Sequence, residues 1–325
     1  MAEPERWISL HAFHRGGTDR LIGQAVGGLV RSLDADGLLA RFFFLRYWEG
    51  GPHLRLRLSP AARAAEVEQR ARAALERHLA AYPTRTPWDP RRYAVAAERL
   101  ASMESLQDYD RRLRSRDGVE AVPYRPEHHV FGGPEATRAA ERHFDDSSRI
   151  ALALLAREEE RGRLAGFAAA ALTLALAAWE PDPGRLGHVL ATDRERWDPP
   201  GERSRRAELL DRHRLALRGQ VLRCLRIATG QDVPGDGDPL GAWWRSIDTL
   251  RGHVVRLQAE GRFRPPPSGS SFQPPGTSRA RGDVLVLLVR CVHLLCNRLG
   301  LAGPEEAHLR HLVGTALIDA ALIDT

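Results

Sequence analysis

The chain has 325 residues, 43% hydrophobic and 28% charged, with a formal net charge of +6, a balance that fits a soluble fold with a full hydrophobic core. No lysine occurs, so all 48 residues counted as Lys or Arg are arginine, which excludes a pyridoxal Schiff base, a lysine nucleophile and a phosphate-binding P-loop. The three cysteines, Cys224, Cys291 and Cys296, are too few for a disulfide framework. The last two would point to different sides of a helix, so no metal and no cofactor is expected.

Taken in chain order, Trp7 to His14 reads as a strand, and Thr18 and Asp19 offer caps for a helix from Arg20 to Ser32. "RFFFLRYW" (Arg41 to Trp48) reads as a second strand, which a Gly50-Gly51-Pro52 turn joins to "PHLRLRL" as a hairpin. Ser59 and Pro60 are placed to start the helical stretch "SPAARAAEVEQRARAALERHL". This β-α-β-β-α order predicts an α+β fold, a small antiparallel sheet backed by helices. Tyr82 to Arg92, with three prolines, reads as a connector.

From Pro134 onward the sequence is almost wholly helical: Glu135 to Ala156, Leu164 to Trp179, Gly184 to Asp193, Glu202 to Thr229, Leu240 to Gly261, Gly282 to Leu299 and Pro304 to Ile323. The Pro/Ser/Gly stretch from Arg264 to Arg279 reads as a tether or a lid. One domain over 1–325 is expected, β-rich to about 133 and helical from about 134. Leu164 to Trp179 is short and alanine-rich for a membrane span, and the N-terminus shows no basic and apolar targeting pattern. Residence in the cytoplasm, away from membranes, is the expectation.

Two patterns carry chemistry. Strict alternation in "PHLRLRL" puts Leu54, Leu56 and Leu58 on one strand face and His53, Arg55 and Arg57 on the other. The leucines are core. The imidazole and guanidiniums are either a solvated surface or the floor of a site for anionic or carbonyl-rich groups. The second pattern is "DVLVLLVRCVHLLCNRLG", apolar nearly all round and so read as a buried helix, with Arg290, His293 and Asn297 on one stripe. Between them, "VPYRPEHHVFGG" sets Glu127, His128 and His129 before a Gly-Gly turn, and "FDDSS" follows, read as an acidic turn or an acid/base candidate.

In this order "RFFFLRYWEGGPHLRLRL", "YRPEHHVFGGPEATRAAERHFDDSS" and "HLLCNRLG" resemble the three blocks of the thiopeptide-type bacteriocin biosynthesis family. That family comprises the C-terminal elimination domain of lantibiotic dehydratases and its stand-alone relatives, among which the thiopeptide pyridine synthases are the most similar. The resemblance implies an enzyme that acts on a modified precursor peptide, a leader plus a dehydroalanine-containing core. One activity of the family removes glutamate from glutamylated Ser/Thr. The other joins two dehydroalanines in a formal [4+2] aza-cycloaddition and expels water and the leader to form a pyridine.

The chain departs from the elimination pattern, which resembles Glu-Arg-Tyr-Gly-Gly, by having His129-Val130-Phe131-Gly132-Gly133. It also shows no glutamylation domain, and both features favour the pyridine synthase. On this reading Arg55 and Arg57 donate hydrogen bonds to carbonyl oxygens, His293 moves protons, and Tyr47 or Glu127 supplies a second acid or an orienter. His53, Arg290, Asn297, His129 and Phe131 would line the substrate. A non-catalytic leader-peptide or nucleic-acid binder is the third possibility. The net charge favours it, while a polar stripe inside an apolar helix argues against it and against a nucleic-acid partner.

Overall fold

A computed structural model of the chain describes residues 6–85, 89–104, 106–157, 160–197, 203–265 and 277–322. The chain divides into two compact units, 1–125 with 151–158, and 126–150 with 159–325.

The first unit is the predicted small sheet. Its elements are β1 (Ile8–Phe13), α1 (Gly27–Ala35) entered through a π-helical turn (Leu21–Val26), β2 (Leu39–Tyr47), β3 (His53–Pro60), α2 (Ala64–Ala81), α3 (Pro90–Glu104) and β4 (Gly118–Ala121). The strands run antiparallel in the order β2-β3-β1-β4. The hairpin turn needs its two glycines: Gly50 has φ 73° and Gly51 φ 118°, conformations that a Cβ disfavours. Leu54, Leu56 and Leu58 are fully buried beside Leu10, Phe42 and Phe44, and α1 and α2 pack on the sheet. From α2, Val67, Ala71 and Leu75 recur every fourth residue and are buried, the stripe that a helix on a sheet requires.

Two local expectations give way. Ser59 does not cap a helix: it pairs with Arg41 in the β2–β3 ladder, and α2 begins only at Ala64. The proline-rich connector ends in α3, with Pro90 at the first helical position, where its missing N–H is no loss. "DDSS" lies within the long helix expected over 135–156, which belongs mostly to the second unit.

That unit is helical: α4 (His128–Phe131), most of α5 (Pro134–Ala156), α6 (Arg161–Trp179), α7 (Pro183–Trp197), α8 (Arg203–Ala228), α9 (Pro239–Ala259), α10 (Arg279–Leu299) and α11 (Gly303–Ala321). Its centre is α6, which packs against α8, α9, α10 and α11. Every residue from Ala168 to Leu176 is buried, which small side chains permit by letting neighbouring backbones come close. Trp243 of α9 donates its indole N–H to the Ala171 carbonyl at 3.0 Å. By length and composition α6 is the one described helix able to cross a bilayer, but 67% of that window is buried within the protein. Of the Arg264 to Arg279 stretch, residues 266–276 lie outside the described residues.

Candidate active site

The predicted ladder is realised on the sheet face opposite the leucines, and the register enlarges it. His11 of β1 lies opposite Arg55, Phe13 opposite His53 and Ser9 opposite Arg57. From β2, Phe43, Leu45 and Tyr47 lie opposite Arg57, Arg55 and His53. Arg57 is only 7% exposed. Its Nη2 donates to His11 Nε2 at 3.0 Å and its Nη1 to the Leu56 carbonyl at 3.3 Å. The Arg55 guanidinium lies 3.3 Å above the centre of the Tyr47 ring and donates to His53 Nε2 and to the Glu49 carboxylate, each at 3.4 Å. His53 in turn donates Nδ1–H to the Gly51 carbonyl at 2.9 Å.

Both imidazoles are neutral and act as acceptors. Burial, followed by the positive charge of Arg57, pulls the pKa of His11 down to about 2. Burial and the flanking guanidiniums bring His53 to about 4, against the hydrogen bond to Gly51. The rings stack, with His11 4.9 Å and Phe13 4.3 Å from His53, and Arg114 covers Phe13 at 4.3 Å. The face therefore holds fixed guanidiniums among aromatic rings, suited to hydrogen-bond carboxylate or developing carbonyl oxyanions.

The second unit carries the remaining predicted residues. On α10, His293 donates Nδ1–H to Glu306 Oε2 at 2.7 Å, and Arg310 bonds Glu306 Oε1 at 2.7 Å. Burial alone would push the Glu306 carboxyl up. The hydrogen bond from His293 and the charges of His293 and Arg310 hold it instead at about 2. The carboxylate at Nδ1 fixes the ring and leaves Nε2 as the nitrogen able to exchange a proton with a substrate, the arrangement of an acid/base group.

Arg290 donates to the Val130 carbonyl at 3.2 Å, and its guanidinium lies 6.0 Å from the Phe131 ring centre. Phe131 is buried edge-on to Phe144 at 5.3 Å. Glu127 and His129 are exposed at α4, and Asn297 is half-buried on α10. The Gly-Gly turn is dictated sterically: at Gly132, φ is 85° and a Cβ would sit 2.3 Å from the Phe263 ring.

One expectation is corrected. The Arg290–His293–Asn297 stripe is not inside the helical core, because the His293 side chain is 57% exposed. The buried polar residue of α10 is its neighbour Arg298, at 0%, which donates to Ser148 at 3.0 Å and Ser147 at 3.3 Å. This arginine explains the two serines of "DDSS". Burial lowers its pKa to about 9.

The residue reading also missed His11 and Glu306. His11 was within reach, since "WISLHAF" alternates and puts Trp7, Ser9, His11 and Phe13 on one face. Glu306 follows His293 by thirteen residues and sits on the next helix, and no local pattern links them. Among the described residues no cluster of three or more His, Cys, Asp or Glu side chains is placed to hold a metal ion. All three thiols are buried, and burial pushes those of Cys224 and Cys291 up to about 12.

A family profile described as lantibiotic biosynthesis dehydratase C-term matches residues 7–317. Among solved structures, the chain is similar to "Pyridine synthase, TbtD, from thiomuracin biosynthesis" with a TM-score of 0.78 and 20% identity, over 98% of this chain and 100% of that one. It is also similar to TsrL, with a TM-score of 0.65 and 18% identity over 98% and 96% of the two chains. The tRNA-dependent lantibiotic dehydratase MibB from Microbispora sp. 107891 matches all of this chain with 28% of its own, with a TM-score of 0.50 and 21% identity. These likenesses establish a shared fold. No curated protein matches by sequence.

Proposed function

The chain belongs to the family of lantibiotic biosynthesis dehydratase C-terminal domains, and we propose that it is a pyridine-forming cyclase acting on a leader-bearing peptide that contains two dehydroalanines. In this reaction the amide next to one dehydroalanine tautomerises to an iminol, which creates a 2-azadiene. The alkene of the second dehydroalanine closes the six-membered ring by forming two carbon–carbon bonds. Loss of water and of the leader as its C-terminal carboxamide then gives the pyridine, with no change in overall oxidation state. Arg55 and Arg57 donate to the carbonyl oxygens whose charge grows, positioned before the reaction by His53, His11 and Tyr47. His293, oriented by Glu306, takes the amide proton and returns it to a leaving group.

The observation that carries the choice is at α4. Where elimination domains have an Arg-Tyr pair, this chain has Val130, whose carbonyl accepts from Arg290, and Phe131, buried against Phe144. Neither side chain offers a charge or a hydroxyl to a glutamate, and both suit a neutral leaving group.

A second reading has its own support. A paired guanidinium face is also what a glutamyl carboxylate requires, so elimination of glutamate is the alternative. Mass spectrometry separates them. A synthetic leader–core peptide with two dehydroalanines should lose water and the leader amide when given this protein alone. If that peptide is returned unchanged while a glutamylated one loses glutamate, the cyclase proposal fails.

A further inference from the structure

Outside these two clusters the second unit has a cleft of about 440 Å³ between α5 and α9. Its floor is a polar relay that joins the two helices. His143, 2% exposed, has Nδ1 2.8 Å from Ser246 Oγ, and Ser246 donates to Asp146 Oδ2 at 2.6 Å. Burial and the charge of Arg298 lower His143 to about 3, so the ring is neutral, Nδ1 is the donor, and Asp146 receives the hydroxyl proton. None of these groups has a part in the chemistry proposed above. The walls are basic: Arg142 and Arg149 on α5, Arg245 and His253 on α9.

We infer that this cleft is a docking groove for an acidic peptide segment. Three features set the ligand class. The lining holds three guanidiniums and one carboxylate, that of Asp146; Asp145 pairs with Arg149 at 3.1 Å, and the positive balance that remains favours an anionic occupant. The basic side chains are spread out. Arg142 and Arg149 are seven residues apart and Arg245 and His253 eight, which at a rise of about 1.5 Å per residue is roughly 10–12 Å along each helix. A single phosphate or carboxylate fills one end of such a row. An extended peptide advances about 3.3 Å per residue and reaches both ends with acidic side chains a few residues apart.

The exposed carboxylate of Asp146, fixed from below by Ser246, distinguishes the polymer. It can accept from the N–H groups of a peptide backbone, whereas a phosphodiester linkage turned toward it presents only acceptors and a like charge. The inference rests on the proposed function only for the origin of the segment, the leader of the precursor.

The test is fluorescence anisotropy on the full chain with three probes. These are a labelled peptide bearing Glu at alternate positions, its Gln counterpart, and a single-stranded oligonucleotide of equal charge. Arg142→Glu and Arg245→Glu should each weaken the Glu peptide by about tenfold or more. Arg226→Glu, an exposed arginine of α8 away from the cleft, should leave binding unchanged. Arg245→Gln, which only removes the charge, should give an intermediate loss, and thermal melts identify any variant that has unfolded. Losses no larger than that of Arg226→Glu, or an oligonucleotide bound as tightly as the Glu peptide, overturn the inference. Binding is read without turnover, so a groove that binds in a protein that cyclises nothing sinks the cyclase proposal alone. Cyclisation by a protein whose groove binds nothing sinks the groove alone.

Discussion

His53 sits at the centre of the guanidinium face, and its neutrality can be read out through folding stability. In the folded chain burial and the flanking arginines hold its pKa at about 4, against 6.5 for an unperturbed histidine. As pH falls, the unfolded chain takes up the proton first, so this contribution to stability is complete above pH 6.5 and is lost as pH drops toward 4. Between pH 7 and pH 5 the linkage relation gives a loss of about 2 kcal/mol from this one ring, the full slope being about 1.4 kcal/mol per pH unit. Glu306, whose carboxyl is held at about 2, loses its contribution only below about pH 4.5 and does not disturb that window. The perturbation is His53→Phe, which keeps an aromatic ring between His11 and Phe13 and removes the titration. It lowers stability at pH 7, because the bonds to Gly51 and Arg55 go. What tests the reasoning is the difference between urea-unfolding free energies at pH 7 and pH 5, which should shrink by about 2 kcal/mol relative to the parent. An unchanged difference would mean that His53 is not held neutral, and Arg55 would then lack its imidazole acceptor.

Four other outcomes follow from the same geometry. Ser148→Ala removes the hydroxyl that receives Arg298 Nε and should cost about 2–3 kcal/mol; Arg298→Met in the same chain should recover part of it, since no buried charge then needs an acceptor. Gly132→Ala puts a Cβ 2.3 Å from the Phe263 ring at φ 85° and should lower the melting temperature clearly, less so when combined with Phe263→Ala. Glu306→Gln removes the charge that orients His293 and should slow whichever reaction is observed by about 10–100-fold, with binding of the acidic peptide unaltered; unchanged turnover removes His293 from the chemistry. Arg57→Met should reduce the rate more than Arg55→Met, because Arg57 donates to a neutral imidazole and a carbonyl while Arg55 shares its charge with Glu49; the reverse order refutes that ranking.

The sheet was legible because its signals are local. Alternation in "PHLRLRL" and the glycine turn fix a hairpin within one stretch, and that hairpin is where it was expected. β4 escaped because Gly118 to Ala121 is short and gains its strand character only by pairing with β1 more than a hundred residues back. Ser59 and Pro60 misled for the opposite reason: they make a good helix start in isolation, but the ladder to β2 holds them extended. Helix positions in the second unit came from long apolar periodicity and moved only at their ends. The facing of α10 did not, since a helix that is apolar nearly all round leaves its exposed stripe to be set by packing. His293 therefore emerges at the surface, while Arg298 takes the buried place on the strength of two serines 150 and 151 residues earlier.

The guanidinium face also shows why residue type alone understates such a site. An His-x-Arg-x-Arg strand reads as a positive strip, and one would expect carboxylates to hold it. A carboxylate partner would fix the arginines but cancel the charge that makes them useful toward an oxyanion. Here each arginine has an imidazole among its acceptors, kept neutral by burial and by the arginines themselves, beside the Glu49 carboxylate for Arg55 and the Leu56 carbonyl for Arg57. A neutral imidazole accepts one of the five guanidinium N–H groups and contributes no negative charge. His11 thereby orients Arg57 while adding no negative charge of its own, and the stack of His11, His53 and Phe13 keeps both rings in place. For Arg57 the acceptor arrives from a different strand in register, so that half of the property belongs to the β1–β3 ladder, whereas Arg55 finds His53 two residues back on its own strand.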